Sequence, residues 1–413
     1  MSRVILHADL NNFYASVACL NRPALREVPV AVCGDPTLRH GIVLAKNMPA
    51  KRLGIQTGQV IWQAKQLCPS LVTLAPDFNE VLRLSHQVRD IFCRYTNRVQ
   101  SFGVDEAWLD LSQPDMSLAK GEQIANHLRH TVREETGLTV SVGVSDNRIF
   151  AKLGSDLKKP DAVSLVCEAN RASVLDPLPV SELLFIGRAT TRKLNAVGIY
   201  TVGQLAAVQP GVLKGLFGKT GLMLSGFAHG DDAAAVLESN AVSKVKSVGN
   251  SVTAAHDVRT YHDARITLYG LCESVASRLR KQGLQGGVLQ LSLRDTALQT
   301  IQRQCTLKAD TDSDGAFFEA AFALLCQNWN GGEPLRSLGV SISHLSAARE
   351  QVQLSFLPEE AARQKRAVLE RTVDGIRDKY GHFAIGRAVM LYDPALGDIN
   401  PEEEHVIHPQ TYW

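Results

Sequence analysis

Val99-Gln100-Ser101-Phe102-Gly103-Val104-Asp105-Glu106-Ala107-Trp108-Leu109-Asp110-Leu111 is the stretch that decides the fold. The apolar runs Val99–Phe102 and Ala107–Leu111 flank Gly103-Val104-Asp105-Glu106, a glycine-led acidic turn, and together they read as a β-hairpin. Upstream, Arg3–Ala8 reads as a mostly buried strand that ends at Asp9. Asp77–Tyr95 has Phe78, Val81, Leu82, Leu84, Val88, Ile91 and Phe92 near the 3.6-residue period of a helix. Downstream, Leu118–Glu135 reads as a helix, Thr139–Val144 as a strand and Asn147–Leu157 as another helix. This order predicts an α/β (α+β) arrangement, a split-βαβ sheet with helices on one face. Residues 10–75, with strand-like runs at Val28–Cys33 and Ile42–Ala45, form an excursion from it.

In such a sheet the first strand is commonly central, so Asp9, Asp105 and Glu106 would meet at one edge. Three close acids repel unless a cation neutralises them, and an all-oxygen donor set suits hard Mg²⁺. Mg²⁺ keeps positions open for substrate phosphates, which points to phosphoryl or nucleotidyl transfer. The plainer reading makes Asp105-Glu106 a turn and Asp9 a strand end. Phe13 and Tyr14 would stand beside the metal or else pack in the core. Lys51-Arg52 and Lys158-Lys159 could neutralise a triphosphate or else lie on solvated faces.

Beyond Asp176-Pro177-Leu178-Pro179 the pattern changes to short helices. Ile186-Gly187 precedes a helix over Arg188–Val197 with Gly198 as its cap, and Thr201 and Gln204 have capping-box spacing. Such glycine turns expose backbone N–H groups that bind phosphate without reading base sequence. After a linker at Ser239–Lys246, strands at Ser247–Val252, Gly287–Arg294, Gln302–Leu307 and Leu338–Ser343 alternate with helices at His262–Gln282 and Gly315–Trp329. They predict a second small α/β domain, followed by an amphipathic helix at Glu359–Tyr380.

The 413 residues suffice for several domains, and 45% apolar with 21% charged residues matches an ordinary globular chain. The apolar runs are too short for a membrane span, and the N-terminus does not read as a signal peptide. Eight scattered cysteines without C-x-x-C spacing argue for reduced thiols in a cytoplasm and against a zinc site. The net charge is only +2, with the acidic excess in residues 351–413, and decides nothing about partners. Gly215–Thr220 lacks the first glycine and the preceding strand of a P-loop. Asp310–Gly315 starts like an EF-hand loop, but Ala321 stands at its twelfth position, so it reads as an acidic loop capping the helix from Gly315. Asp231-Asp232 reads as a solvated helix end.

Four ordered segments carry a family resemblance. Asp9-Leu10-Asn11-Asn12-Phe13-Tyr14-Ala15-Ser16-Val17 is similar to the opening motif of Y-family (translesion) DNA polymerases of the bacterial polymerase IV/V type. Val104–Asp110 resembles that family's Ser-Ile-Asp-Glu-Ala-Tyr-Leu-Asp signature. Ser141–Ser145 through Ala151-Lys152-Leu153 to Lys159-Pro160 follows, and then Phe185–Leu205, Lys246–Gly249 and Leu335–Val340. The resemblance implies a right-hand polymerase: a palm over 1–13 and 75–170, small fingers over 14–74, a helix-hairpin-helix thumb over 171–238, a little finger over 244–346 and a tail over 347–413. It implies two Mg²⁺ ions held by Asp9, Asp105, Glu106 and the Leu10 carbonyl, with a dNTP as substrate. Phe13, Tyr14, Lys51 and Lys159 fall on nucleotide-binding positions, with Tyr14 as the steric gate against ribose. Met48, Ala45, Gly103 and Ala18 depart from the family pattern, and the first two read as weaker nucleotide binding.

Gln353-Leu354-Ser355-Phe356-Leu357 resembles the peptide by which bacterial polymerases dock on the sliding clamp, with Gln353, Leu354, Phe356 and Leu357 as anchors. The expected partners are primer-template DNA and that clamp, with no membrane and a monomeric chain. Two rivals are a non-catalytic relative linking the clamp to other factors and a palm-type nucleotide cyclase. The retained carboxylates weigh against the first, and the helical hairpins weigh against the second.

Overall fold

The computed structural model describes residues 3–35, 41–241, 244–348, 358–397 and 399. They fall into two compact units, one over the described residues of 3–34 and 42–241 and one over those of 35, 41 and 244–399.

The first unit opens with β1 (Ile5–Leu10), all six residues buried, and α1 (Phe13–Leu20). The excursion that follows is a small body of its own. It comprises β2 (Val30–Cys33), β3 (Val43–Lys46), α2 (Met48–Arg52), α3 (Ile61–Leu67) and β4 (Val72–Leu74), with sheet order β3-β2-β4. Next come α4 (Phe78–Cys93), β5 (Val99–Ser101), β6 (Glu106–Asp110), α5 (Leu118–Thr136), β7 (Val140–Ser145), α6 (Arg148–Leu157), β8 (Val163–Leu165) and α7 (Glu168–Val174). The main sheet has the order β5-β6-β1-β7-β8, so β1 is central as its unbroken burial requires. Side-chain caps set the helix starts: Asp77, Ser117 and Asn147 accept from the backbone N–H of Glu80, Lys120 and Phe150. Gly137, in the left-handed region at φ 71°, ends α5.

The expectation of helices on one face needs correction. Strand side chains alternate, and β1 uses both faces. Val4 and Leu6 face α5, where they crowd Gly121, whereas His7 meets Ser155 on α6. Gly143, opposite His7 in the ladder, brings β7 so close to α6 that a Cβ there would lie 1.9 Å from the Ala151 carbonyl oxygen. Both faces of the sheet are therefore covered.

The short helices α8 (Arg188–Ala196), α9 (Val202–Ala207), α10 (Pro210–Phe217) and α11 (Lys219–His229) complete the unit. Thr201 and Gln204 form the expected capping box on α9. The Gly215–Thr220 stretch straddles α10 and α11 with no strand before it.

The second unit runs β9 (Ser247–Val258), α12 (Tyr261–Lys281), β10 (Leu284–Asp295), β11 (Thr300–Thr311), α13 (Asp314–Asn328) and β12 (Leu335–Ala347). Its antiparallel sheet has the order β11-β10-β12-β9. Leu289, Leu291, Leu293, Leu338, Val340 and Ile342 bury one face in a core with α12 and α13. The other face carries cross-strand rows Gln304–Gln290–Ser341–Gly249 and Gln302–Ser292–Gly339–Ser251. The acidic run proves less loop-like than expected: β11 reaches Thr311, Ser313 caps α13, and Asp314 is a buried first helical residue.

The tail is built into this second unit. It contains α14 (Pro358–Tyr380) and α15 (Pro394–Gly397). Glu273 on α12 receives Arg377 at 2.8 Å and Arg387 at 2.6 Å, and Arg387 also reaches Asp314 at 2.7 Å. Arg280 pairs with Asp374 at 2.5 Å, and Ser313 donates to Glu370 at 2.8 Å. Arg387 stacks over Tyr269, while Leu396 and Ile399 are buried in the core.

Candidate active site

The register of the main sheet makes the site. Asp9 stands directly opposite Glu106 in the antiparallel β1–β6 ladder, so their side chains project from one face. One step further, the Leu10 N–H donates to the Asp105 carbonyl oxygen at 2.9 Å, which brings Asp105 to the same end of the strand pair. The three carboxylates expected to converge are thus held together by backbone pairing between residues about a hundred positions apart.

The face that Asp9 and Glu106 share is the one covered by α6. Lys152, on that helix, extends its Nζ to within 2.9 Å of Glu106 Oε2 and 3.3 Å of Asp9 Oδ2. Lys159, just beyond the helix, lies 2.7 Å from Asp9 Oδ2 and 2.8 Å from Asp156 Oδ1. Lys159 is therefore no solvated lysine. Lys152 is a site residue that sequence reasoning quoted only as part of a motif. Asp156, four residues on, is its one local partner at 3.5 Å among these carboxylates; Glu106 and Asp9 lie over forty residues away, so no local pattern announces its place in the site.

Two ammonium groups do not offset four carboxylates, and two of the acids, Asp105 and Asp9, are raised. Burial first, then the neighbouring Glu106 and Asp9 charges, pushes Asp105 up to about 7. Burial and Glu106 raise Asp9 as well, against the two lysines. Burial opposes the charge on Lys152, yet the fields of Glu106, Asp156 and Asp9 hold it above the ordinary lysine value. Lys159 is raised in the same way by Asp9 and Asp156.

Tyr14, in the first turn of α1, sits beside this cluster. Burial and the Asp105 charge raise its phenol to about 12, and its ring meets Phe78 edge-on at 6.3 Å. Phe13 is different: at 2% exposure it is a core residue, the plainer of its two sequence readings. Lys51 lies exposed in the last turn of α2, and no described contact joins it to the carboxylates. Lys46 on β3 is near enough to Lys51 to have its pKa lowered, chiefly by burial and then by that charge. These two lysines form a cationic pair that the sequence did not single out. Asp232 is also not solvated: Arg148, the first residue of α6, grips it with two bonds of 2.7 and 2.9 Å.

The donor set fits a hard divalent cation. It is oxygen-only, and the raised Asp105 and Asp9 carboxyls mark a shortage of positive charge that such an ion supplies. Among the described residues no three His, Cys, Asp or Glu side chains already close on a metal position. The clamp-peptide residues Gln353, Leu354, Phe356 and Leu357 lie outside the described residues.

Comparison with known proteins places this geometry. A sequence profile of the impB/mucB/samB family matches residues 8–156, and that of its C-terminal domain matches residues 245–356. DNA polymerase IV of Acetivibrio thermocellus is 42% identical over 97% of this chain and 100% of its own length. The chain belongs to the Y family of DNA polymerases. DNA polymerase IV of Pelotomaculum thermopropionicum is 35% identical over 94% of this chain and 95% of its own. DNA polymerase IV 1 of Bacillus subtilis is 33% identical over 94% of each. A solved Y-family DNA polymerase chimera of Dbh and Dpo4 shares the fold, with a TM-score of 0.74 and 20% identity over 83% of this chain and 99% of that one. The Y-family chain thus has the right-hand polymerase fold and is a translesion DNA polymerase, and the non-catalytic and cyclase rivals are not favoured. No helix among its described residues is long and apolar enough to cross a membrane.

Proposed function

We propose that this DNA-directed DNA polymerase performs two-metal nucleotidyl transfer at Asp9, Asp105 and Glu106, inserting dNTPs opposite damaged template bases with low fidelity. The observation that carries the reading is the pairing of Asp9 with Glu106, with Asp105 tied alongside by the Leu10 backbone. These carboxylates and the Leu10 carbonyl would hold two Mg²⁺ ions. When bound, the ions lower the pKa of the primer 3′-hydroxyl and neutralise the leaving pyrophosphate.

The chain's own residues do the rest. Lys159, now paired with Asp9 and Asp156, would turn to the triphosphate once cations take over its charge-balancing role, with Lys51 as a second contact. The Tyr14 ring beside Asp105 would collide with a ribose 2′-hydroxyl. The excursion at residues 14–74 would be the fingers, too small to close tightly over the nascent pair, so geometric discrimination is weak. Residues 1–13 and 75–170 would be the palm and 171–238 the thumb. Residues 244–346 of the second unit would be the little finger, and its Gln, Ser and Gly rows, free of carboxylates, suit contact with duplex phosphates whatever the sequence. The Gln353–Leu357 peptide would dock on the bacterial sliding clamp, and the enzyme would work as a cytoplasmic monomer.

The test is primer extension on undamaged and abasic templates with four dNTPs and Mg²⁺, beside Asp105→Ala. Extension by the unaltered chain alone, with primer-template binding retained in Asp105→Ala, is expected. Inactivity of both with DNA binding intact would favour the accessory reading or an obligatory activating partner, and added sliding clamp separates those two.

A further inference from the structure

His7 has no part in the chemistry outlined above, yet it is built into the floor of the site. It lies in β1 two residues before Asp9 and is completely buried. Its ring stands edge-on to Trp108 at 5.2 Å, Nδ1 is 2.9 Å from Ser155 Oγ on α6, and Nε2 is 3.3 Å from Glu106 Oε2. Nε2 has no well-aligned hydrogen-bond partner among the described residues. A buried polar nitrogen without one is costly unless the site uses it.

We propose that His7 is a positioning residue for Glu106, its Nε2–H donating to Oε2 and fixing the carboxylate in the orientation that serves the metal. The inference rests on the reading of Glu106 as a metal ligand. A bare Nε2 would set its lone pair against those of a carboxylate oxygen 3.3 Å away, so the hydrogen belongs on Nε2. Nδ1 is then the acceptor, and the Ser155 hydroxyl is its donor. That hydroxyl also lies 2.7 Å from the Lys152 carbonyl oxygen, and with one hydrogen it serves only one of the two. The carboxylate thus selects the arrangement Ser155 to His7 to Glu106. Lys152 Nζ approaches the same Oε2 at 2.9 Å from the helix side; that oxygen, like Nε2, has no well-aligned hydrogen-bond partner among the described residues, and the two donors near it differ in rigidity. The lysine is a flexible chain; the imidazole is clamped between Trp108 and Ser155 and sets direction. The 3.3 Å contact is long, as hydrogen bonds around a site often are before the substrate complex forms.

The test compares His7→Phe, His7→Gln and Ser155→Ala in the full chain. Mn²⁺ binding is read by electron paramagnetic resonance on the primer-template complex with DNA alone as blank, and extension is titrated with Mg²⁺ and with dNTP. Orienting partners of metal ligands typically govern affinity by 10–100-fold. His7→Phe, which keeps the ring against Trp108, should therefore weaken Mn²⁺ binding and raise half-saturating Mg²⁺ about 10-fold, with dNTP KM unchanged. His7→Gln, whose amide can donate in place of Nε2, should recover most of this, and Ser155→Ala should shift it in the same direction by less. Unchanged Mn²⁺ binding in a folded His7→Phe overturns the proposal. If that variant does not fold, unchanged binding in Ser155→Ala does so. Retention of full activity by Glu106→Gln would instead overturn the metal-ligand reading itself, and the two failures are distinct.

Discussion

Gly143→Ala is the sharpest test of how the site is assembled. A Cβ at this position would lie 1.9 Å from the Ala151 carbonyl oxygen and 2.5 Å from the Ser155 nitrogen, both backbone atoms of α6. Ordinary contact needs 3.4 Å or more, so the helix must retreat by about 1.5 Å. Overpacking costs typically 1–3 kcal/mol, and an obstacle of backbone places this one at the upper end. For a body of this size about 3 kcal/mol lowers the melting temperature by roughly 6–12 °C. The retreat also draws Lys152 away from Glu106 and Ser155 away from His7, so extension should fall at least ~10-fold below what stability alone predicts. Gly154→Ala is the graded control: its Cβ would approach Gly143 Cα at 3.1 Å, a milder contact that should cost clearly less. Calorimetry of the full chain together with steady-state extension reads both quantities. A Gly143→Ala protein melting within about 1 °C of the unaltered chain would refute the close strand–helix approach, and with it the placement of Lys152.

Two further outcomes are expected. Tyr14→Ala should admit ribonucleotides; unchanged discrimination between dNTP and rNTP in single-nucleotide insertion would refute the gate. Burial and the neighbouring Asp314 raise Glu370 to about 7, so the folded state binds a proton that the unfolded chain releases near 4.5. The stability this lends the second unit is full below about pH 4.5 and is lost as the pH rises through 7, and Glu370→Gln should flatten that slope in urea denaturation between pH 5 and 8.

Much of the site was legible because period-2 alternation and turn chemistry are local signals. Asp9 and the Asp105-Glu106 hairpin needed only strand order to be brought together, and the Asp77 and Thr201 helix starts were fixed by their own caps. What stayed hidden was carried by long-range partners. Lys152 meets Asp9 across 143 residues, Arg148 meets Asp232 across 84, and Arg377 meets Glu273 across 104. The assignment of helices to one face failed for the same reason: nothing within Asn147–Leu157 says which side of a sheet it will cover. The short β8 was passed over because three residues show no period of their own. Tyr14 and Phe13, adjacent in sequence, part ways because the first turn of a helix points them in different directions.

The latching of the tail onto α12 and α13 bears on how such chains can be recombined. The profile match for the C-terminal domain stops at residue 356, but Arg377 and Arg387 answer Glu273, and Ile399 presses against Gly270. Modular exchange of this domain with a relative, cut at 356, would separate acids from the arginines matched to them. Stripping one partner from a buried pair costs about 3–5 kcal/mol. The natural unit of exchange runs from the linker through Ile399, and grafts that respect that seam should melt as one.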